Sequence, residues 1–182
     1  KGSFSEEAAQ TFAINHGIDN HEILYLISSK EVLKNVESGK VNYGILAMEN
    51  AQGGVVIESV EAMAEYRCRI LEMFHIPVSQ NLLANEDIYI GDITEIHSHQ
   101  QALRQCKDYL AENFWTRPLI EADDTAEAAR RLSQGKLPKT AGVIGSKYCA
   151  ELYGLNILQE DIHDLKHNLT LFLSVEKLKE SK

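Results

Sequence analysis

Four times along this chain a Ser or Asp stands three residues ahead of a Glu or Gln at the head of a helical apolar pattern. The pairs are Ser3 with Glu6, Ser28 with Glu31, Ser98 with Gln101, and Asp124 with Glu127. Each is a capping box, in which both side chains reach the other residue's backbone N–H and start a helix. Ser146 opens a further helix. Apolar runs at 22–27, 93–97, 118–122 and 140–144 precede the last four of these five starts. A repeated order of strand, short loop and capped helix predicts an α/β fold with parallel sheets and right-handed crossovers. Ligands of such sheets sit beyond the strands' C-terminal ends. There the helix starts offer unpaired N–H groups and a positive dipole end, which suit an anion.

The segment 94–110 shows the unit most completely. Ile93 and Ile96 end a strand, Ser98 turns the chain, and Ala102, Leu103, Cys106 and Leu110 recur at offsets of three or four in a helix expected to reach about Asn113. Further helices are expected from the Ser3 cap to about His16, from Ser28 to a stop at Gly39, over 55–66, from Asp124 to Gly135, and from Ser146 to Gly154. A buried strand over 41–48 delivers the loop Glu49-Asn50-Ala51-Gln52-Gly53-Gly54. The run 69–83 reads as two extended pieces around Pro77, which suits a crossover between two lobes. A short strand covers 155–158. From 169 to 175 the chain alternates, with Leu169, Leu171, Leu173 and Val175 on one face and Thr170, Phe172 and Ser174 on the other. The charged tail 176–182 is expected to fray.

Charge and composition narrow the partners. A net charge of −9 without a basic stripe disfavours nucleic acid and acidic membrane surfaces. No apolar run reaches the length of a membrane span, and no signal peptide opens the chain, so a cytoplasmic setting is expected. Cys68, Cys106 and Cys149 are odd in number and lie in periodic apolar segments, so they read as reduced core thiols. His97 with His99, and His163 with His167, could each begin a metal site. No third ligand has matching spacing, so solvent or cap roles are preferred and no metal or cofactor is expected. HExxH, GxSxG, GxxxxGK[ST] and GxGxxG are all missing. Arg130-Arg131, late in a helix, reads as a solvated face.

Five loops could carry chemistry: 2–5, 49–54, 98–101, 124–125 and Ser146. Ser, Thr and Asp cap helices in any protein, so most of these are explained by capping alone. Glu49-Asn50 differs, because an acid and an amide after a buried apolar strand are poor structural filler. Gly53-Gly54 beside them lets backbone approach a ligand closely.

Six stretches in order resemble the catalytic domain of prephenate dehydratases. Gly2-Ser3-Phe4-Ser5 is similar to that family's G-[TS]-F-S opening. Val41-Asn42-Tyr43-Gly44-Ile45 through Glu49-Asn50 to Gly54 is similar to its segment ending in ENS…G. Ser98-His99-Gln100-Gln101-Ala102 through Gln105-Cys106 resembles SHxQAxxQC. Asp124-Thr125-Ala126 resembles its [SD]TA turn. Ile144-Gly145-Ser146 with Ala150, Tyr153-Gly154-Leu155 and Ile162 resembles its IGS…A…YGL…I run. Asn168-Leu169-Thr170-Leu171-Phe172 falls on N-x-T-R-F.

The resemblance implies two α/β lobes with a cleft between them, like type 2 periplasmic binding proteins. The lobes would be 1–78 with 164–182, and 79–163. It implies a carbon–oxygen lyase that converts prephenate to phenylpyruvate with loss of carbon dioxide and water, in phenylalanine biosynthesis, as a homodimer or larger. By resemblance Thr170 donates the proton to the departing hydroxyl. Ser3, Phe4, Glu49, Asn50, Gly54, Ser98, Gln105, Thr125, Asn168 and Phe172 bind substrate, with Ser98 expected to touch it more directly than Gln105. The family usually continues into a phenylalanine-sensing ACT domain and has a strand before the opening loop; neither is in this sequence. The family's Arg after the Thr is Leu171 here, its Ser after Glu-Asn is Ala51, and its Pro before them is replaced near Ala47. Two alternatives keep the same cleft: a paralogue that binds an aromatic or carboxylate metabolite without turnover, and a related prephenate decarboxylase.

Overall fold

The computed structural model describes residues 1–178. In chain order the elements are α1 (Phe4–Asn15), α2 (Ser29–Ser38), β1 (Tyr43–Asn50), β2 (Gly54–Val55), α3 (Ile57–Glu65), β3 (Cys68–Pro77) and β4 (Asn81–Ala84). A 3-10 turn at Ile90–Asp92 leads into β5 (Glu95–Ser98), α4 (Gln100–Gln105), α5 (Lys107–Phe114), β6 (Leu119–Glu121) and α6 (Thr125–Ser133). Then come β7 (Ala141–Gly145), α7 (Lys147–Tyr153), β8 (Asn156–Gln159) and β9 (Leu169–Lys177). Among the described residues no helix is long and apolar enough to cross a membrane.

The fold is α/β with two sheets, one in each of two compact units. One unit is Phe4–Pro77 together with the chain from His167 onward; the other is Lys1–Ser3 with Val78–Lys166. Lys1–Ser3 therefore groups with the middle of the chain and not, as the expected lobe of 1–78 had it, with the helix they lead into. The cause is local packing. Gly2 is buried at φ +86°, and a Cβ there would stand 2.9 Å from Cys149 Sγ and 3.2 Å from Ala126 Cβ. Only glycine accepts both that backbone and that space.

The expectation of parallel sheets holds for part of the molecule. In the unit of Phe4–Pro77 the order is β2-β1-β9-β3 and every ladder is antiparallel. β1 and β3 do run the same way, joined over α3, but β9 arrives from the chain's far end and inserts between them in the opposite sense. In the other unit the order is β6-β5-β7-β4-β8. Here β6, β5 and β7 are parallel, with β4 antiparallel to both β7 and β8.

Both sheets are covered on both faces. Leu33, Val36, Leu46, Ala62, Leu173 and Val175 bury α2 and α3 against one face of the first sheet. Ala8, Ile76 and Phe172, with Phe4, Ile45 and Phe74, bury α1 against the other. The alternation of β9 therefore separates two cores, not core from solvent. β4 does the same in the second sheet, with Leu82 facing α4 and α5 and Leu83 facing α6 and α7.

Gly44 marks the closest approach of α2 to β1, since a Cβ there would lie 2.8 Å from methyls of both Val32 and Val36. Gly44→Ala is expected to cost about 1–3 kcal/mol through overpacking. The thermal midpoint should fall by about 2–4 °C for each of those at this chain length. An unchanged midpoint in a circular dichroism melt would mean that α2 is not seated on β1.

Three expected elements come out differently. The run 22–27 has no strand geometry; Tyr25 instead donates its hydroxyl to Glu6 Oε1 at 2.6 Å, and Ile27 is exposed. β1 continues through Glu49-Asn50, which are strand and not loop. The single helix expected over 98–113 breaks at Cys106 (φ −114°, ψ 23°). Asp164 explains the break: its N–H donates to the Gln105 carbonyl at 2.7 Å, and its carboxylate accepts from Asp108 N at 3.2 Å and so caps α5. Glu176 and Lys177 of the expected tail lie in β9, while 179–182 fall outside the described residues.

Candidate functional site

The end of β1 and the start of β9 meet in register at Asn50 and Thr170, and a polar knot forms there. Asn50 Nδ2 donates to Thr170 Oγ1 at 2.9 Å and to Asn168 Oδ1 at 3.2 Å. Its Oδ1 accepts from Gln52 N at 3.1 Å and Gly53 N at 2.9 Å, an Asx turn that shapes the hairpin to Gly54. Two donors and two acceptor sites are all a carboxamide has, so Asn50 is fully engaged and its orientation is fixed.

The consequence falls on Thr170, 7% exposed. A threonine hydroxyl has one proton and two lone pairs. Because Asn50 donates to Oγ1, that oxygen acts as acceptor toward Asn50, and its own proton is left to point elsewhere. Asn168 is 3% exposed and its Nδ2 is buried without a hydrogen-bond partner among the described residues. An unmet buried donor of this kind costs about 1–3 kcal/mol unless something accepts from it. Two donors, one hydroxyl and one amide, are thus available side by side.

The neighbours of the knot divide by role. Phe172, next on the Thr170 face, is in the core and stacks on Phe74 with centroids 6.1 Å apart; Phe4 packs beside them, half-buried. Gly54 is exposed at φ +74° and pairs with Asn50 as the closing residue of the hairpin. Glu49 is exposed on the opposite face of β1, facing Leu171 of β9 across the ladder.

In the other unit, Ser98 is fully buried at the end of β5 and donates its hydroxyl to the Ile144 carbonyl at 3.1 Å. It does not cap the following helix, as its spacing to Gln101 implied. His99 does so, accepting from Gln101 N at 3.2 Å through Nδ1. With its one proton committed to β7, Ser98 has no free donor for a ligand. Gln105, 3% exposed, accepts from Gln80 Nε2 at 3.0 Å. Thr125 opens α6, half-buried, after Asp124 caps Ala126 N. Ser3 is half-buried in the segment that Gly2 anchors. Ser146 caps α7 at Cys149 N.

Other side chains singled out from the sequence have structural partners. His97 pairs with Glu95 Oε1 at 2.7 Å. Burial pushes the Cys106 thiol up to about 12, with the Asp164 charge adding to it, which removes it as a nucleophile. Arg130 forks onto Glu127 at 2.7 Å, so Glu127 takes no part in a capping box. Two buried polar residues were not legible as site candidates: Gln80, and Asn81, whose Nδ2 donates to Gly145 O at 3.1 Å. No period or motif in the sequence marks either of them.

Comparison with known proteins places the chain in a family. The family model described as prephenate dehydratase matches residues 1–180. The chain is 32% identical over 177 residues to arogenate dehydratase 2 of Petunia hybrida, covering 97% of this chain and 43% of that protein. It is 31% identical over 178 residues to the prephenate dehydratase of Methanocaldococcus jannaschii, covering 97% and 62%. It thus spans about half the length of these curated relatives. The crystal structure of an Arthrobacter aurescens prephenate dehydratase in complex with L-Phe superposes with a TM-score of 0.86 at 24% identity, over 100% of this chain and 59% of that one. That likeness is one of fold.

Proposed function

This chain belongs to the prephenate dehydratase family, and we propose that it catalyses that family's reaction, with Thr170 as the proton donor. In that reaction the bond from the ring to its carboxylate breaks and releases carbon dioxide. The electron pair moves into the ring, the C–O bond at the opposite ring carbon breaks, and a proton delivered to the departing hydroxyl makes water. Phenylpyruvate remains. Aromatisation drives the process, so the protein's task is to orient the dianion and to place one proton donor.

The observation that carries this reading is the direction of one hydrogen bond, from Asn50 Nδ2 to Thr170 Oγ1. It leaves the Thr170 proton free to donate. It also places an N–H dipole on the oxygen that becomes negative as the proton departs. Asn168 Nδ2, without a partner among the described residues, supplies a second donor for an oxygen of the substrate. Gln105 and Thr125 act as further binding groups in this reading, on family resemblance. A homodimer or larger assembly belongs to the same proposal and rests on the same resemblance; a cytoplasmic setting belongs to it too, supported by the free thiols of Cys68, Cys106 and Cys149.

Incubation with prephenate, followed by the absorbance of the phenylpyruvate enolate in alkali, tests the assignment; arogenate in parallel, with phenylalanine as product, tests which substrate is preferred. Enzyme-dependent phenylpyruvate above the acid-catalysed background is expected. Absence of phenylpyruvate from prephenate and of phenylalanine from arogenate, with protein that melts cooperatively, would sink the assignment.

A further inference from the structure

We propose that Gln80 is a positioning residue, which fixes the Gln105 amide so that its NH2 end, and not its carbonyl, meets the bound substrate. The inference rests on the reading above that Gln105 binds substrate, and gives it a direction and a cause.

The two glutamines lie 25 residues apart and are each 3% exposed. Gln80 Nε2 donates to Gln105 Oε1 at 3.0 Å. Backbone bonds hold both residues where they are. Gln80 O accepts from Ile162 N at 2.9 Å, Gln80 N donates to His163 Nδ1 at 3.4 Å, and Gln105 O accepts from Asp164 N at 2.7 Å. The three-residue stretch 162–164 therefore clips the start of β4 to the end of α4. The amide pair is set by the fold and not by its own weak attraction.

The sense of the pair follows from what each arrangement strands. Turning one amide alone would oppose two carbonyls or two NH2 groups. Turning both would keep a bond but leave the NH2 of Gln80 buried without an acceptor. In the arrangement found, the orphan is Gln80 Oε1, buried and without a partner among the described residues. Under-satisfied buried carbonyls are tolerated more often than orphaned N–H groups, so this is the less costly sense. With its carbonyl turned to Gln80, Gln105 presents Nε2 on the other side of the amide. Two N–H donors suit a carboxylate or carbonyl oxygen and reject a donor.

Phenylpyruvate serves as probe, because it keeps the side-chain carboxylate and is not consumed. Its dissociation constant is measured by calorimetry for the native chain, Gln105→Met, Gln80→Met and Gln80→Glu, from pH 5 to 9. Gln105→Met and Gln80→Met should each weaken binding by about two- to tenfold, the share of one neutral hydrogen bond. Gln80→Glu is the discriminating variant, because its introduced carboxyl can donate only while protonated. Its affinity should match the native chain at low pH and fall toward that of Gln80→Met as the carboxyl ionises, a profile absent from the native chain and from Gln80→Met. Loss of affinity in Gln105→Met with native affinity in both Gln80 variants would overturn the positioning role and leave Gln105 as a binding group. Native affinity in Gln105→Met would remove Gln105 from the site, and the inference with it. A pH-independent loss in Gln80→Glu, equal to that of Gln80→Met, would reduce Gln80 to packing and also overturn the proposal.

Discussion

Thr170→Ala is expected to lower kcat for prephenate by about 10²–10⁴, the range that one positioned general acid contributes. KM should change by less than threefold, because the lost proton transfer acts in the transition state. The substitution removes a hydroxyl and a methyl at a site 7% exposed, so a modest loss of stability is expected as well, and a thermal melt keeps the two effects apart. Thr170→Ser, which keeps the hydroxyl, should stay within about tenfold of the native chain. The sharper control is Asn50→Asp. An ionised carboxylate has no N–H to give, so the Thr170 proton would turn toward the introduced acid and away from substrate. Asn50→Asp should therefore lose most of the turnover while retaining the Thr170 side chain. It should recover part of it at acid pH, as the introduced carboxyl gains a proton and can donate to Oγ1. Retained turnover in Thr170→Ala would move the acid role elsewhere.

The capping signals predicted the helix starts well where the cap needed only local chemistry. Ser28 accepts from Glu31 N, Asp124 from Ala126 N and Ser146 from Cys149 N, each within three residues, and Gly39 and Gly154 end their helices at positive φ. Ser98 failed as a cap because it is still the last residue of β5, with its side chain turned to a partner 46 residues away, the Ile144 carbonyl. Nothing in the local sequence could report that competition. The insertion of β9 between β1 and β3 was hidden for the same reason: strand order depends on pairing across more than 90 residues, whereas helix starts do not. Asn50 stood out in its loop and Thr170 could be named by family resemblance, but the direction of the bond between them could not be read. That direction is what turns a buried hydroxyl into a candidate acid. Gln80 was invisible because a glutamine in an extended run has no period or motif to betray it.

Leu171→Arg is expected to raise kcat/KM for prephenate by about tenfold, the lower end of what a charge-assisted hydrogen bond of about 1.5–3 kcal/mol can supply. In the ladder, position 171 lies between Glu49 of β1 and His75 of β3, on the face opposite Thr170. Cross-strand neighbours have Cβ atoms about 4.5–5.5 Å apart, within easy reach of a guanidinium. Glu49 is the natural partner. Because Glu49 is exposed, the pair would add only about 0–1 kcal/mol to stability, so the thermal midpoint should hardly move. The gain is expected in catalysis: a fixed Glu49 steadies the end of β1, and with it the Asn50 amide on which the Thr170 proton depends. A double-mutant cycle isolates that route, since Glu49→Gln should cancel most of the benefit of Leu171→Arg while costing the native chain little. Lysine at 171 should give less than arginine, lacking the forked donor. If the native chain binds phenylpyruvate but turns over no prephenate, and Leu171→Arg alone confers turnover, the chain is a binding module whose catalytic loss sits at this position. Equal activity in the native chain and Leu171→Arg would instead mean that the apolar row of β9 supports Asn50 and Thr170 without help from a charge.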